Sequence, residues 1–187
     1  MARYKVGLET QGKILEATRR LLSEVGFEAI TVKAICAQAG IQAGSFYNLF
    51  ATKDEAVLTV VRDAISAFDP DPEGAGNDTV ESLVNAYTGF VTKDPELGRV
   101  YAQMAVTAAL TQDHLAGRIQ RHHEQRVERF TAAYVREHPA VSASLAGYRM
   151  EILLGALNGL SIRWSIDPTF DICAHASLMV DELSTTA

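Results

Sequence analysis

The sequence is poor in cysteine: Cys36 and Cys173 are too few for a disulfide framework. At 187 residues the chain can bury about 70% of its unfolded surface, so neither disulfides nor a metal are needed to hold a core. Cys36 falls on an apolar stripe, where a free thiol behaves as a small hydrophobe, and a reducing cytoplasm fits this usage. No apolar run reaches the length of a signal peptide or a membrane span, so no membrane partner is expected. Catalytic signatures are missing as well. There is no Gly-x-Ser-x-Gly elbow, no phosphate-binding loop and no Cys-x-x-Cys pair. A ferritin-like di-metal site needs Glu-x-x-His pairs, and none of the five histidines has Glu three positions before it. His122 and His123 stand on a charged helix face and read as solvated side chains. Ser45 has no neighbouring base. No catalytic residue, metal or cofactor is therefore expected. Internal repeats and low-complexity segments are absent too.

Acid outweighs base over the whole chain, with a net charge of −6, which argues against a nucleic-acid partner. Its distribution argues the other way. Residues 1–53 hold seven cations (Arg3, Lys5, Lys13, Arg19, Arg20, Lys33, Lys53) and four acids (Glu9, Glu16, Glu24, Glu28), a net of +3. The rest of the chain carries −9. A basic head on an acidic body suits nucleic acid at one end, although +3 is small enough to arise from chance clustering.

Apolar periodicity and stop signals predict an all-α fold of about nine helices and no strands. Residues 1–8 read as a tail whose Arg3 and Lys5 could reach phosphates or a minor groove, or have no role. The first helix is expected over Thr10–Val25, stopped by Gly26, and the second over Val32–Ala39 with Thr31 as N-cap. The third follows over Ala43–Phe50. The fourth opens at a Thr52-x-x-Glu55 capping box and runs to Phe68. Residues 69–78, with two prolines, two glycines and four acids, read as an exposed connection. Five more helices follow. The fifth begins behind Asp78 and ends near Lys93; the sixth, opened by Asp94-Pro95, runs to Leu110. The seventh, Gln112–Glu137, has Arg118, Arg121, Glu124, Arg126, Glu128 and Arg129 on a solvated face. The eighth is expected over Val141–Ser165, and the ninth from Asp167-Pro168 to Ser184. Three regions result: 1–52, a connecting helix and loop at 53–78, and 79–187.

The densest information lies between Ile30 and Leu58. Val32, Ile35, Cys36 and Ala39 make one buried stripe. Gly40 can end that helix with positive φ. Phe46 and Phe50, four apart, face the core on the next segment. Gln42, Ser45, Tyr47 and Asn48 are left for other faces. This is a helix-turn-helix arrangement, in which the second helix enters a major groove.

From about Thr10 to Val61 the stretch resembles the DNA-binding domain of the TetR family of bacterial transcription regulators. Thr31-Val32, Ala39-Gly40-Ile41, Phe46-Tyr47, Phe50 and Lys53 carry the resemblance. It implies a dimeric, ligand-responsive repressor that binds double-stranded operator DNA. Tyr47 then faces a phosphate, and Lys53 resembles the family's phosphate-contacting lysine. Thr31 and Lys33 at the start of the second helix suit another phosphate. Gln42 and Asn48 can pair with adenine, or be ordinary surface amides. Ala43, Gly44 and Ser45 complete the DNA-facing set; Ala43-Gly44 departs from the pattern in leaving few long side chains to read bases.

Beyond residue 79 the resemblance is loose. A TetR-like body holds a mostly apolar effector cavity between its helices. Tyr87, Phe90, Tyr101, Met104, Phe130, Asn158 and Trp164 are the candidates for lining it; filling a core is the alternative use of such side chains. In TetR-like proteins the last two helices pair with their copies, and Gly155 and Gly159 would let backbones approach. Leu153, Leu157, Gly159, Leu160, Ala176, Met179, Val180 and Leu183 are the expected homodimer face; intrachain packing is the alternative. The competing functional class is an all-α small-molecule-binding or interaction module that does not touch DNA.

Overall fold

The computed structural model describes residues 2–111 and 114–185. The side chains of residues 2–5, 111 and 114 lie outside this description, and with them the expected roles of Arg3 and Lys5. The chain divides into two compact units, Met1–Ala64 and Ile65–Ala187.

In the first unit, apolar residues three and four apart fold onto one another. Helix α1 spans Ala2–Ala29, so residues 2–8 are helical and not the expected tail, and it is interrupted at Gly26, whose φ of 76° and ψ of 170° are non-helical. Ile14, Ala17, Thr18, Leu21 and Leu22 form its buried side, whereas Val25, expected on that side, is half exposed. The Thr18 hydroxyl is buried because it donates to the Ile14 carbonyl at 2.7 Å. Helix α2 is Val32–Ala39 and packs on α1. Thr31 caps it by accepting the Ala34 N–H at 3.1 Å.

Helix α3 is shorter than expected, Ala43–Tyr47. The Leu49 and Phe50 N–H groups both bond the Phe46 carbonyl at 2.9 Å, so the chain tightens past Tyr47 while Phe50 still reaches the core. Helix α4 spans Lys53–Ser66. Its cap is a variant of the expected box. Thr52 accepts the Glu55 N–H at 3.2 Å, but Glu55 reaches back to the Ala51 N–H, at 2.9 Å.

The second unit holds α5 (Val80–Lys93), α6 (Pro95–Thr111), α7 (His114–Glu137), α8 (Ala143–Ile166) and α9 (Ile172–Thr185). Helix α5 packs on α6, α7 and α9, and α8 on α6, α7 and α9. Thr79 and Ser82 close a reciprocal capping box at the head of α5. Asp167-Pro168 does mark a boundary, yet α9 starts only at Ile172, after a turn. Its cap is Asp171, which accepts the Ala174 N–H at 2.9 Å.

Two surface expectations are corrected here. The 69–78 loop is not simply an exposed connection, since Asp71 and Asp78 are buried. Asp71 accepts the N–H groups of Ala75 (3.0 Å), Gly76 (2.6 Å) and Asn77 (3.2 Å). Nor is the charged side of α7 wholly solvated. Arg129 forks onto Asp69 at 2.8 and 2.5 Å and bonds Asp78 through Nε at 2.6 Å. Arg136 joins it on Asp78. Arg126 stacks over the Tyr87 ring at 5.0 Å. His122 and His123 are half-buried and each reaches another helix, to the Tyr101 hydroxyl and to Glu151, both at 2.9 Å.

Candidate nucleic-acid interface and effector cavity

The turn between α2 and α3 is set by one residue. Gly40 sits at φ 64° and ψ 37°, a left-handed conformation that costs glycine little and other residues more. There its N–H bonds the Ala37 carbonyl at 3.3 Å, and the Ile41 N–H bonds that of Cys36 at 3.0 Å. Both bonds satisfy carbonyls that the end of α2 would otherwise leave open. The chain then leaves in extended conformation at Gln42 and enters α3.

Phe46 anchors α3. It is fully buried, lies 5.8 Å from the Phe50 ring, and meets the Tyr47 ring edge-on at 5.5 Å. With these two phenylalanines inside, the neighbouring side chains have to face outward. Tyr47 is 58% exposed, and Gln42, Ala43, Gly44 and Asn48 are exposed around it. Ser45 is half-buried on the same segment. The Gln42 side chain makes no cap hydrogen bond, so it is not consumed by the helix it precedes. Asn48 stands at the C-terminal edge of α3 rather than within it, a consequence of the early end of that helix.

Thr31 and Lys33 are exposed at the start of α2. The Thr31 hydroxyl is already bonded as a cap, which leaves Lys33 as the cationic group of that pair. Lys53 is placed differently from a freely exposed lysine. Its ammonium donates to the carbonyls of Phe27 at 3.2 Å and Glu28 at 3.5 Å, and lies 5.1 Å from the centre of the Phe27 ring. It thus closes the C-terminal end of α1, where a cation complements the open carbonyls. An ammonium has three N–H bonds, so one remains for an external acceptor. Elsewhere on α1, Lys13 pairs with Glu9 at 3.2 Å and Arg20 with Glu24 at 2.8 Å, both four residues apart and solvated. They dilute the positive field that the charge count implied.

In the second unit a cavity of about 190 Å³ opens among α5, α6, α7 and α8. Tyr87, Phe90, Tyr101 and Asn158 line it, as expected from sequence. Ser161 and His123 add polar groups that sequence reading missed; only the fold brings them to the same cavity as Tyr87. The remaining wall is apolar, from Val91 and Ala105 to Ile119 and Ile162. Met104, Phe130 and Trp164 do not line it. Met104 and Phe130 are instead buried in the core of the unit. The Tyr87 hydroxyl lies 3.0 Å from Ser161 Oγ and 3.2 Å from Asn158 Oδ1. Burial pushes its phenol above the ordinary tyrosine value, so it stays a donor at neutral pH.

The expected dimer face is partly corrected. Leu153, Leu157 and Ala176 are buried in their own chain and cannot meet a partner. Leu160, Met179, Val180 and Leu183 are outside that core, and Val180 and Leu183 border a cleft with Tyr134. Gly159 is exposed, as that role requires. Helix α8 has a second apolar side. Leu145, Tyr148, Ile152, Gly155, Gly159, Ile162 and Ile166 recur at spacings of three and four and are all exposed in this chain, Ile162 lining the cavity as well. Ile152 and Ile166 expose 73% and 77% of their surfaces.

Among the described residues no group of three or more His, Cys, Asp and Glu side chains could hold a metal ion, and no helix is long and apolar enough to cross a membrane.

Residues 14–59 match the family model described as bacterial regulatory proteins, tetR family. Over 52 residues the chain is 35% identical to the HTH-type transcriptional regulator UidR of Escherichia coli, which is 28% of this chain and 26% of that protein. The chain thus spans about a quarter of that relative. Likeness of fold extends much further. A TetR transcription regulator from Haloarcula marismortui superposes with a TM-score of 0.72 at 17% identity, over 92% of this chain and 95% of that one. Thermus thermophilus FadR, a TetR-family repressor solved with lauroyl-CoA, gives a TM-score of 0.65 at 15% identity, over 91% of each chain.

Proposed function

We propose that the chain is a member of the TetR family of bacterial regulatory proteins, whose model matches residues 14–59, and that it is a ligand-responsive transcriptional repressor acting as a homodimer on operator DNA in the cytoplasm. One observation carries this reading. The Gly40 turn and the buried Phe46 and Phe50 leave Gln42, Ala43, Gly44, Tyr47 and Asn48 all exposed on the one short segment. A short helix with two small residues at its start can approach a major groove closely. Lys33, Tyr47 and the spare Lys53 N–H would hold phosphates and supply affinity, and Gln42 and Asn48 would choose the sequence.

The second copy sits on the outer side of α8. Spacings of three and four are those at which two helices keep one seam in contact, and Gly155 and Gly159 let the backbones close in. Two-fold symmetry then makes the operator near-palindromic. The effector occupies the cavity among α5 to α8. FadR holds lauroyl-CoA, which is far larger than about 190 Å³, so the effector here is smaller.

The route between the two activities is covalent. Helix α4 leads from the Thr52 cap to Ser66, and Asp69, three residues on, is gripped by Arg129 of α7. A coupling of about 1–3 kcal/mol between the sites would weaken DNA binding about 5–150-fold, and DNA would weaken the effector by the same factor. A mobility-shift assay with duplex from the region flanking the chain's own gene tests the reading. Retardation at moderate salt is expected; no retardation even at low salt leaves the module that does not touch DNA as the better account.

A further inference from the structure

If the chain is ligand-responsive, the reading on which this inference rests, its cavity selects a ligand in two ways. Size is the first. An apolar cavity of about 150 Å³ accepts benzene, while drug-sized ligands occupy about 300–1,000 Å³. At about 190 Å³ the space fits one ring and a single small substituent.

The polar end is the second. Ser161 Oγ donates to the Asn158 carbonyl at 2.8 Å and so can accept the Tyr87 hydroxyl at 3.0 Å. That arrangement spends the one Tyr87 proton. It leaves the Asn158 side chain with a lone pair at Oδ1 beyond the one that faces the Tyr87 hydroxyl at 3.2 Å, and with its donors at Nδ2. A group that both gives and takes a hydrogen bond satisfies it.

Charge is handled elsewhere. His123 is the lining group able to become a cation, and its Nε2 is already held by Glu151 at 2.9 Å. A ligand anion there would meet a carboxylate as well. Arg126 stacks on the Tyr87 ring and does not line the cavity.

We propose that the cavity binds a compact, uncharged ring compound carrying one hydroxyl or carboxamide, with that group on the Asn158 side chain and the ring against Phe90, Val91 and Ile119. Benzamide and benzoate provide the test, because they share size and shape and differ in charge. Isothermal titration calorimetry of the full chain, without DNA, should show benzamide binding at least tenfold more tightly than benzoate. Asn158→Leu, close in volume, should weaken benzamide about tenfold while leaving the melting curve cooperative. Because no DNA is present, this result stands apart from the DNA-binding reading.

Two outcomes overturn the proposal. One is no heat of binding for benzamide at millimolar concentration. The other is benzoate binding as tightly as benzamide, which would mean that the buried, unpartnered Nη2 of Arg126 over the Tyr87 ring comes within reach of the cavity although it does not line it here. The wild-type comparison decides without any variant having to fold.

Discussion

Arg129 grips Asp69 through two parallel N–H bonds, at 2.8 and 2.5 Å, and so ties α7 to the chain just beyond α4. The same guanidinium holds Asp78, whose carboxylate is almost wholly buried. Bidentate pairing of this kind fixes geometry as well as charge.

That grip has a pH signature. The Arg129 bonds hold the Asp69 carboxyl below its ordinary value. Burial would raise Asp71, but the N–H bonds from Ala75, Gly76 and Asn77 outweigh it and hold that group low too. A carboxyl depressed in the folded state contributes stability above its unfolded value, near pH 4, and loses it as pH falls toward the folded value. Melting temperature should therefore be insensitive to these groups between about pH 5 and pH 7 and fall below about pH 4. Asp71→Asn should be less stable at neutral pH and fall less steeply in acid. Parallel pH profiles for the variant and the parent would remove Asp71 from the account.

Lys53 combines two roles that a single substitution separates. Lys53→Ala should lower the melting temperature, because the Phe27 and Glu28 carbonyls lose their donor. It should also reduce the slope of log affinity against log salt by about 1, as expected for one phosphate contact. Loss of stability with an unchanged slope would make Lys53 a helix clamp only.

Gly155 and Gly159 probe the seam. A Cβ built at either meets nothing within 4 Å in its own chain. Gly159→Leu should thus leave the protomer folded, and slightly more helical, since glycine costs a helix interior about 1 kcal/mol. It should also push apart two helices that meet there. Sedimentation should show a dimer for the parent and a species near 20.3 kDa for the variant. A parent that is monomeric at micromolar concentration removes the seam.

The features legible in sequence are those governed by one or two residues. Thr31 as a cap, Gly40 as a turn and Pro95 at the head of α6 follow from local backbone chemistry. The end of α3 is not legible, because Phe46 and Phe50 keep their four-residue spacing whether the helix continues or tightens. The partners of Arg129 lie 60 and 51 residues away in a loop, so sequence alone makes it a solvated charge on a helix face. On α8, apolar residues run all round the helix. Periodicity shows two apolar sides but not which of them faces the chain's own core, and so Leu153 and Leu157 belong to the core and not to the seam expected of them.

Sequence-specific DNA recognition by α3 is the central claim, and fluorescence anisotropy measures it most directly. The operator duplex and a scrambled duplex of equal length would be titrated at one fixed salt concentration with the parent and with Asn48→Ala. The account predicts that the parent prefers the operator by about 10³-fold or more. Asn48→Ala should lose roughly 1–3 kcal/mol on the operator and little on the scrambled duplex. Equal affinity of the parent for both duplexes, or an equal loss on both for the variant, would contradict it.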